Sequence, residues 1–206
     1  MSDQGLIGFR YRDIDKLDYN RSGSAPNKLG LQILHELRAV DDWDPFKKRI
    51  AELTPVAETH RIDYFDGYPV AEIRRHFPHL EYDSAPTDYH ELFAPLQGTL
   101  APYLDGKLSF MPDASDFIRD SQHCEWAYIT NLDTNQFEVW KGNQLEPDHE
   151  DNRMVEEDNR YGKDMDRMGY YPCAMVRSYD FEELPNPGLF LTYYSFSGDL
   201  TDGNRE

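Results

Sequence analysis

Residues Cys124–Gly142, CEWAYITNLDTNQFEVWKG, decide how this chain is read. Two runs of apolar, aromatic and β-branched residues, Cys124–Thr130 and Phe137–Gly142, flank Asn131–Gln136, whose Asn, Asp and Thr side chains suit a tight turn. The pattern predicts a β-hairpin. Strand alternation would place Cys124, Trp126 and Tyr128 on one face of its first strand, and Ala127 and Ile129 on the other. A strand that is apolar on both faces is covered on both, so layers are expected above and below the sheet.

Upstream, GLIGFRY (Gly5–Tyr11) and KLDYN (Lys16–Asn20), separated by the polar RDID, predict an opening hairpin. The Gly, Pro and Asn of RSGSAPN mark a loop. Leu29, Ile33, Leu34, Leu37 and Val40 recur at helical spacing and predict a helix over residues 28–40. Asp44-Pro45 reads as a capping carboxylate followed by proline at the first helical position, opening a helix that buries Phe46, Ile50 and Leu53. Shorter helices are expected over Val70–Phe77, after a cap at Thr87 and over Ser115–Asp120. Downstream, YYPCAMVRSYDF (Tyr170–Phe181) and GLFLTYYSF (Gly188–Phe196) predict two more strands joined by EELPNPG. Strands, then helices, then strands favour one α+β domain over residues 1–200, its antiparallel sheet of about five to seven strands layered with helices. Residues 201–206 are expected to form a flexible tail.

At 206 residues with 14 Tyr, 11 Phe and 3 Trp, the chain can bury a proper core despite a mean hydropathy of -0.79. Asp and Glu number 39 against 21 Lys and Arg, a formal net charge of -18. That average repels phosphate backbones and anionic bilayers, so neither nucleic acid nor a membrane is expected as partner. Absence of a long apolar run, the MSDQG start and only two cysteines point to the cytoplasm. Nucleotide-binding glycine loops, the GxSxG elbow and HExxH are all missing. Two cysteines cannot make a four-thiolate zinc site, and Pro78 breaks any shared helical face for His76 and His79. No cofactor and no metal are expected. A third reading is a metal-dependent activity at His149 and its acidic neighbours, although an EF-hand's Gly and Glu positions are unfilled.

The segment Glu146–Arg167 carries nine acidic and four basic residues and reads as a charged helix or an ordered insert exposed to solvent. Glu146, Asp148, Glu150, Asp151, Glu156, Glu157 and Asp158 are its candidate binding residues, suited to a protein partner with a basic face. The loop Arg21–Lys28 is a second candidate contact.

GLIGFRY, KLDYN, the Ser/Pro loop closing on Leu29-Gly30, FIRDSQHCEWAYITNLDTNQFEVWKG and YYPCAMV together resemble an uncharacterised family of small proteins from phages, bacteria and fungi. The loop Arg21–Lys28 departs from that family's pattern, which carries an aromatic and an acidic residue there. The resemblance implies a fold and brings no established activity. The element order is also similar to N-terminal-nucleophile hydrolases and class II glutamine amidotransferases, where the first strand begins with a nucleophile whose own α-amino group is the base. By that resemblance Ser2, exposed by loss of Met1, would be the nucleophile, with Arg10 and Asn20 as polar groups beside it. Two functions follow as expectations. One is a non-catalytic acidic interaction or regulatory module, phage- or defence-related, engaging a protein partner. The alternative is an amidohydrolase or amidotransferase acting through Ser2.

Overall fold

The computed structural model describes residues 3–57, 61–62, 67–82, 85–146 and 159–195. The opening hairpin forms as β1 (Gln4–Tyr11) and β2 (Ile14–Asn20), joined by a tight turn in which Arg12 and Asp13 both have positive φ, 54° and 59°. Both central residues in the left-handed region define a turn whose twist matches the flanking strands. A wide helical turn over Pro26–Gly30 leads into α1 (Leu31–Arg38), followed by α2 (Asp44–Glu52). Asp44 does not cap α2: it sits in the first turn, the N-cap position is Trp43 with no side-chain cap bond, and Asp42 accepts the Asp44 N–H at 3.0 Å. Then come β3 (Thr54–Ala57), α3 (Gly67–His76), α4 (Tyr89–Phe93), α5 (Ala101–Leu104) and β4 (Phe110–Asp113). Asp88, rather than Thr87, caps α4, accepting the Glu91 N–H at 2.8 Å. The Glu91 carboxylate returns to the N–H and hydroxyl of Thr87, at 2.8 and 3.0 Å, which ties the residue before the cap to the first turn.

A 3-10 turn, Ser115–Arg119, precedes the hairpin β5 (Cys124–Asn131) and β6 (Gln136–Lys141), and β7 (Ala174–Asp180) follows. The five long strands lie in the order β2-β1-β5-β6-β7, while β3 and β4 form a separate parallel pair. The chain is therefore α+β, as its pattern predicts, but its main sheet is mixed. β1 pairs with β5 in parallel; the other three pairings are antiparallel. Each hairpin offers its first strand at the junction, and those two strands run the same way. A parallel junction needs a long crossover, which residues 21–123 supply with α1–α5.

The run expected as a last strand is instead a helix, α6 (Pro187–Ser195). Asn186 accepts the Leu189 N–H at 2.9 Å, and Pro187 occupies the first helical position. Its Phe190 is buried against the rings of Phe137 and Tyr179, at 6.2 and 6.0 Å between centroids. An apolar run of this length suits a strand or a helix alike, and sheet packing decides.

The layers differ on the two sheet faces. Ile33, Leu34, Phe46, Leu92, Tyr103 and Phe190 all join Ile7, Phe9, Tyr128 and Phe137 in one large core, so α1–α6 crowd onto the first face. Lys16 reaches into this layer from β2: its Nζ donates to the carbonyls of Ile50 and Leu53, both at 2.6 Å, closing the C-terminal end of α2. A smaller core of Leu6, Leu17, Ile118, Ala127, Ile129, Trp140 and both cysteines occupies the second face. There the cover comes from the 3-10 turn and from residues around Tyr161 and Cys173.

Cys124 belongs to this second face, with Ala127 and Ile129, and not with Trp126 and Tyr128 as alternation predicts. Gln4 opposes Cys124 and Gly5 opposes Trp126, so Glu125 is an extra residue in β5. This bulge turns Cys124 over. Cys124 also lies so close to Gly142 that a Cβ there would sit 1.8 Å from the Cys124 carbonyl oxygen.

Candidate functional site: a groove along the second face

Because the helices leave the second face thinly covered, its side chains form open clefts. One cleft, about 310 Å³, lies at the Arg10 end of β1 and is lined by Asp13, Asp15, Arg119, Arg160 and Tyr161 among others. A larger one, about 950 Å³, lies beside Gln4, Tyr19, His90 and Phe117. Ser115 and Asp116 line both, so the two form one groove with the 3-10 turn as its saddle.

At the first end, strand register puts Arg10 opposite Asp15 on the β1-β2 hairpin, and Asn131 and Glu138 project nearby from β5 and β6. Glu138 is 2% exposed in the middle of an apolar strand. A carboxylate there must be fully hydrogen-bonded. Arg160 supplies two donors, at 2.9 and 2.6 Å; Asn131 Nδ2 donates at 2.6 Å and Trp140 Nε1 at 2.9 Å. The guanidinium of Arg160 also stacks over the Trp140 ring at 4.6 Å. Burial works against the Arg160 charge, but Glu138 and Asp15 hold its pKa above the ordinary arginine value. Tyr161 donates to Asp15 at 3.0 Å. Burial raises the pKa of its phenol despite the neighbouring Arg160, and Asp15 adds to the rise. Arg10 bonds Asp13 at 2.9 Å and Asp15 at 3.3 Å, and Arg119 donates to the Tyr161 carbonyl. This end is a rigid lattice of paired charges.

The second end is different in kind. Tyr19 meets Phe117 edge-on at 5.3 Å and His90 at 5.9 Å, giving half-buried aromatic walls. Asp113 and Asp116 are exposed along the rim. Asp113 accepts the Ser115 N–H at 3.1 Å, while Arg119 Nε lies 4.0 Å from Asp116. The Ser115 hydroxyl is taken up by backbone, donating to the Asp15 carbonyl and accepting the Leu17 N–H, both at 3.3 Å.

The residues expected beside Ser2 do not come together. Arg10 lies at the far end of β1, opposite Asp15, whereas Asn20 lies opposite Gly5 at the near end. Asn20 is buried and holds the following loop, donating to the Ser22 carbonyl at 2.8 Å and to Ser24 Oγ at 2.7 Å. Ser2 itself lies outside the described residues, as do Asp148, Glu150, Asp151, Glu156, Glu157, Asp158 and His149. Of the acidic candidates Glu146 is described, and it is exposed. The stretch Glu146–Arg167 is not solvent-facing throughout, for Tyr161 is 6% exposed and belongs to the second core. His123 contacts Asp120 at 2.9 Å on the surface. Among the described residues no group of three or more His, Cys, Asp or Glu is placed to hold a metal ion, and no helix is long and apolar enough to cross a membrane.

Sequence reading missed Glu138, Arg160 and Tyr161. The signal for Glu138 was present: a lone carboxylate inside FEVW, in a strand read as buried, requires a partner. Nothing in the sequence names that partner as Arg160. Comparison with family models, with curated proteins and with solved structures finds no match.

Proposed function

We propose that the chain is a non-catalytic interaction or regulatory module that engages a protein partner through complementary charge. One observation carries this reading. The acidic stretch 147–158, with six carboxylates and one arginine, leaves and returns at points fastened to the grooved face of the sheet. On the departing side, Gln144 pairs with Tyr171 and donates to the carbonyls of Lys141 and Gly142, each at 2.9 Å. On the returning side, Asn159 donates to the Cys173 carbonyl at 2.9 Å and Arg160 is locked onto Glu138. The two flanks of the acidic stretch are thereby anchored on the face that carries the groove, and its charge is suited to a basic protein surface.

The groove chemistry supports binding. Its first end consists of charges already paired, and the one hydroxyl on its saddle is occupied by backbone. The test is capture of the tagged full chain's partner from host lysate at low and high salt. The comparison is a variant carrying Glu156→Gln, Glu157→Gln and Asp158→Asn. A stoichiometric protein that is released by salt and lost in the variant is the expected result. Retention of the same partner by the variant removes the acidic stretch from the account.

A further inference from the structure

We propose that the aromatic end of the groove, between Tyr19, Phe117, Asp113 and Asp116, receives an arginine side chain presented by the protein partner. This rests on the interaction reading above and names its point of contact. The shape is that of a receptor for a flat cation: about 950 Å³ of open space, walled by half-buried rings and rimmed by exposed carboxylates. The rings are fixed. Tyr19 is carried by the edge strand β2, which pairs along its length with β1, and is braced edge-on by Phe117 at 5.3 Å, so little order is lost when a ligand enters there. Asp116 has a fully exposed side chain and, among the described residues, its nearest cation is Arg119 at 4.0 Å, leaving its oxygens open to incoming donors. Asp113 holds the Ser115 N–H with one oxygen and presents the other.

Arginine fits this set better than lysine. Its planar guanidinium stacks on aromatic rings and forks onto carboxylates, whereas an ammonium is a compact, strongly hydrated point charge. Arg21, which also lines the cleft, sets a limit: it disfavours a bare cation and suits a side chain whose own backbone carbonyls or a neighbouring acidic residue face it. The other end of the groove already shows the same pairing built from the chain's own residues, where Arg160 stacks on Trp140 and forks onto Glu138.

The experiment titrates the full chain with a labelled, end-blocked hexa-arginine peptide and with the matching hexa-lysine peptide. Anisotropy gives affinity, and NMR shifts of the aromatic side chains give location. Arginine peptide is expected to bind tighter than lysine peptide and to shift Tyr19 and Phe117. Asp113→Asn with Asp116→Asn should weaken it about tenfold. Tyr19→Leu, which changes no charge, should weaken it about threefold. Phe117→Leu repeats that test in case Tyr19→Leu impairs folding. Equal binding of both peptides, or wild-type affinity in the Asp113/Asp116 and ring variants, overturns the groove assignment. If affinity is instead lost with Glu156, Glu157 and Asp158 neutralised, the interaction reading stands without the groove; if no variant alters it, both fall.

Discussion

Asp133 and Arg12, 121 residues apart, join the turns of the two hairpins: the Asp133 carboxylate accepts the Arg12 N–H at 2.8 Å. Its other oxygen takes the Asp13 N–H at 3.0 Å, so one side chain satisfies both exposed amides of the β1-β2 turn. Asp133→Ala is expected to cost about 1 kcal/mol in urea unfolding. Since Arg12 and Asp13 both hold positive φ, Arg12→Asn with Asp13→Gly should regain a similar amount. A loss of stability in that double variant would contradict the turn geometry.

Breaking the Glu138–Arg160 pair from one side should be severe. Glu138→Leu leaves a half-buried guanidinium and the donors of Asn131 and Trp140 without their acceptor. The expected loss is about 3 kcal/mol, and similarly for Arg160→Met. Removing both charges together should cost less than the two single changes added, because neither charge is left alone. Additivity in a double-mutant cycle would show that the two residues do not act as a pair.

Alkaline pH should destabilise the fold through its tyrosines. Burial raises the phenol pKa of Tyr103, with Asp18 adding to it, and that of Tyr128, with Asp3 adding. Tyr194 is raised likewise, first by burial and then by Tyr179. A raised folded pKa means stability is complete below the unfolded value of 10.0 and is lost as pH climbs beyond it. Each such tyrosine subtracts about 1.4 kcal/mol per pH unit in that range. Lys16, whose pKa burial lowers from 10.5, works the other way just below that value, but it is one group against several. Absorbance titration should show these phenols ionising only as the protein unfolds. Reversible ionisation in the folded state at ordinary pH would refute it.

Both thiols should be inert in the native protein. Cys124 and Cys173 are 0% exposed, and Cys173 donates to the Cys124 carbonyl at 3.3 Å. The neighbouring Cys173 thiol, then burial, pushes the Cys124 thiol well above its usual range. Iodoacetamide at neutral pH should modify neither until denaturant is added, as read by intact mass. Rapid native alkylation of either would contradict the bulge that buries Cys124.

Local chemistry was legible in the sequence wherever neighbours along the chain settle the structure. The spacing of Ile33, Leu34 and Leu37 marked α1, and the turn residues between Thr130 and Phe137 marked the β5-β6 hairpin. The apolar pattern on both faces of β5 foretold cover on both sides. Tertiary structure alone decided the rest. Gly188–Ser195 became α6 because Phe190 packs on Phe137 and Tyr179, a choice its own apolar run leaves open. The parallel joining of β1 to β5, the bulge at Glu125 and the Arg160–Glu138 lock each link residues far apart in sequence or depend on a register set by such a link. The groove exists because α1–α6 all settle on one face of the sheet. Amphipathic periodicity tells each helix to bury a stripe, but which face of the sheet receives it is fixed by crossover direction and packing, to which no local pattern responds.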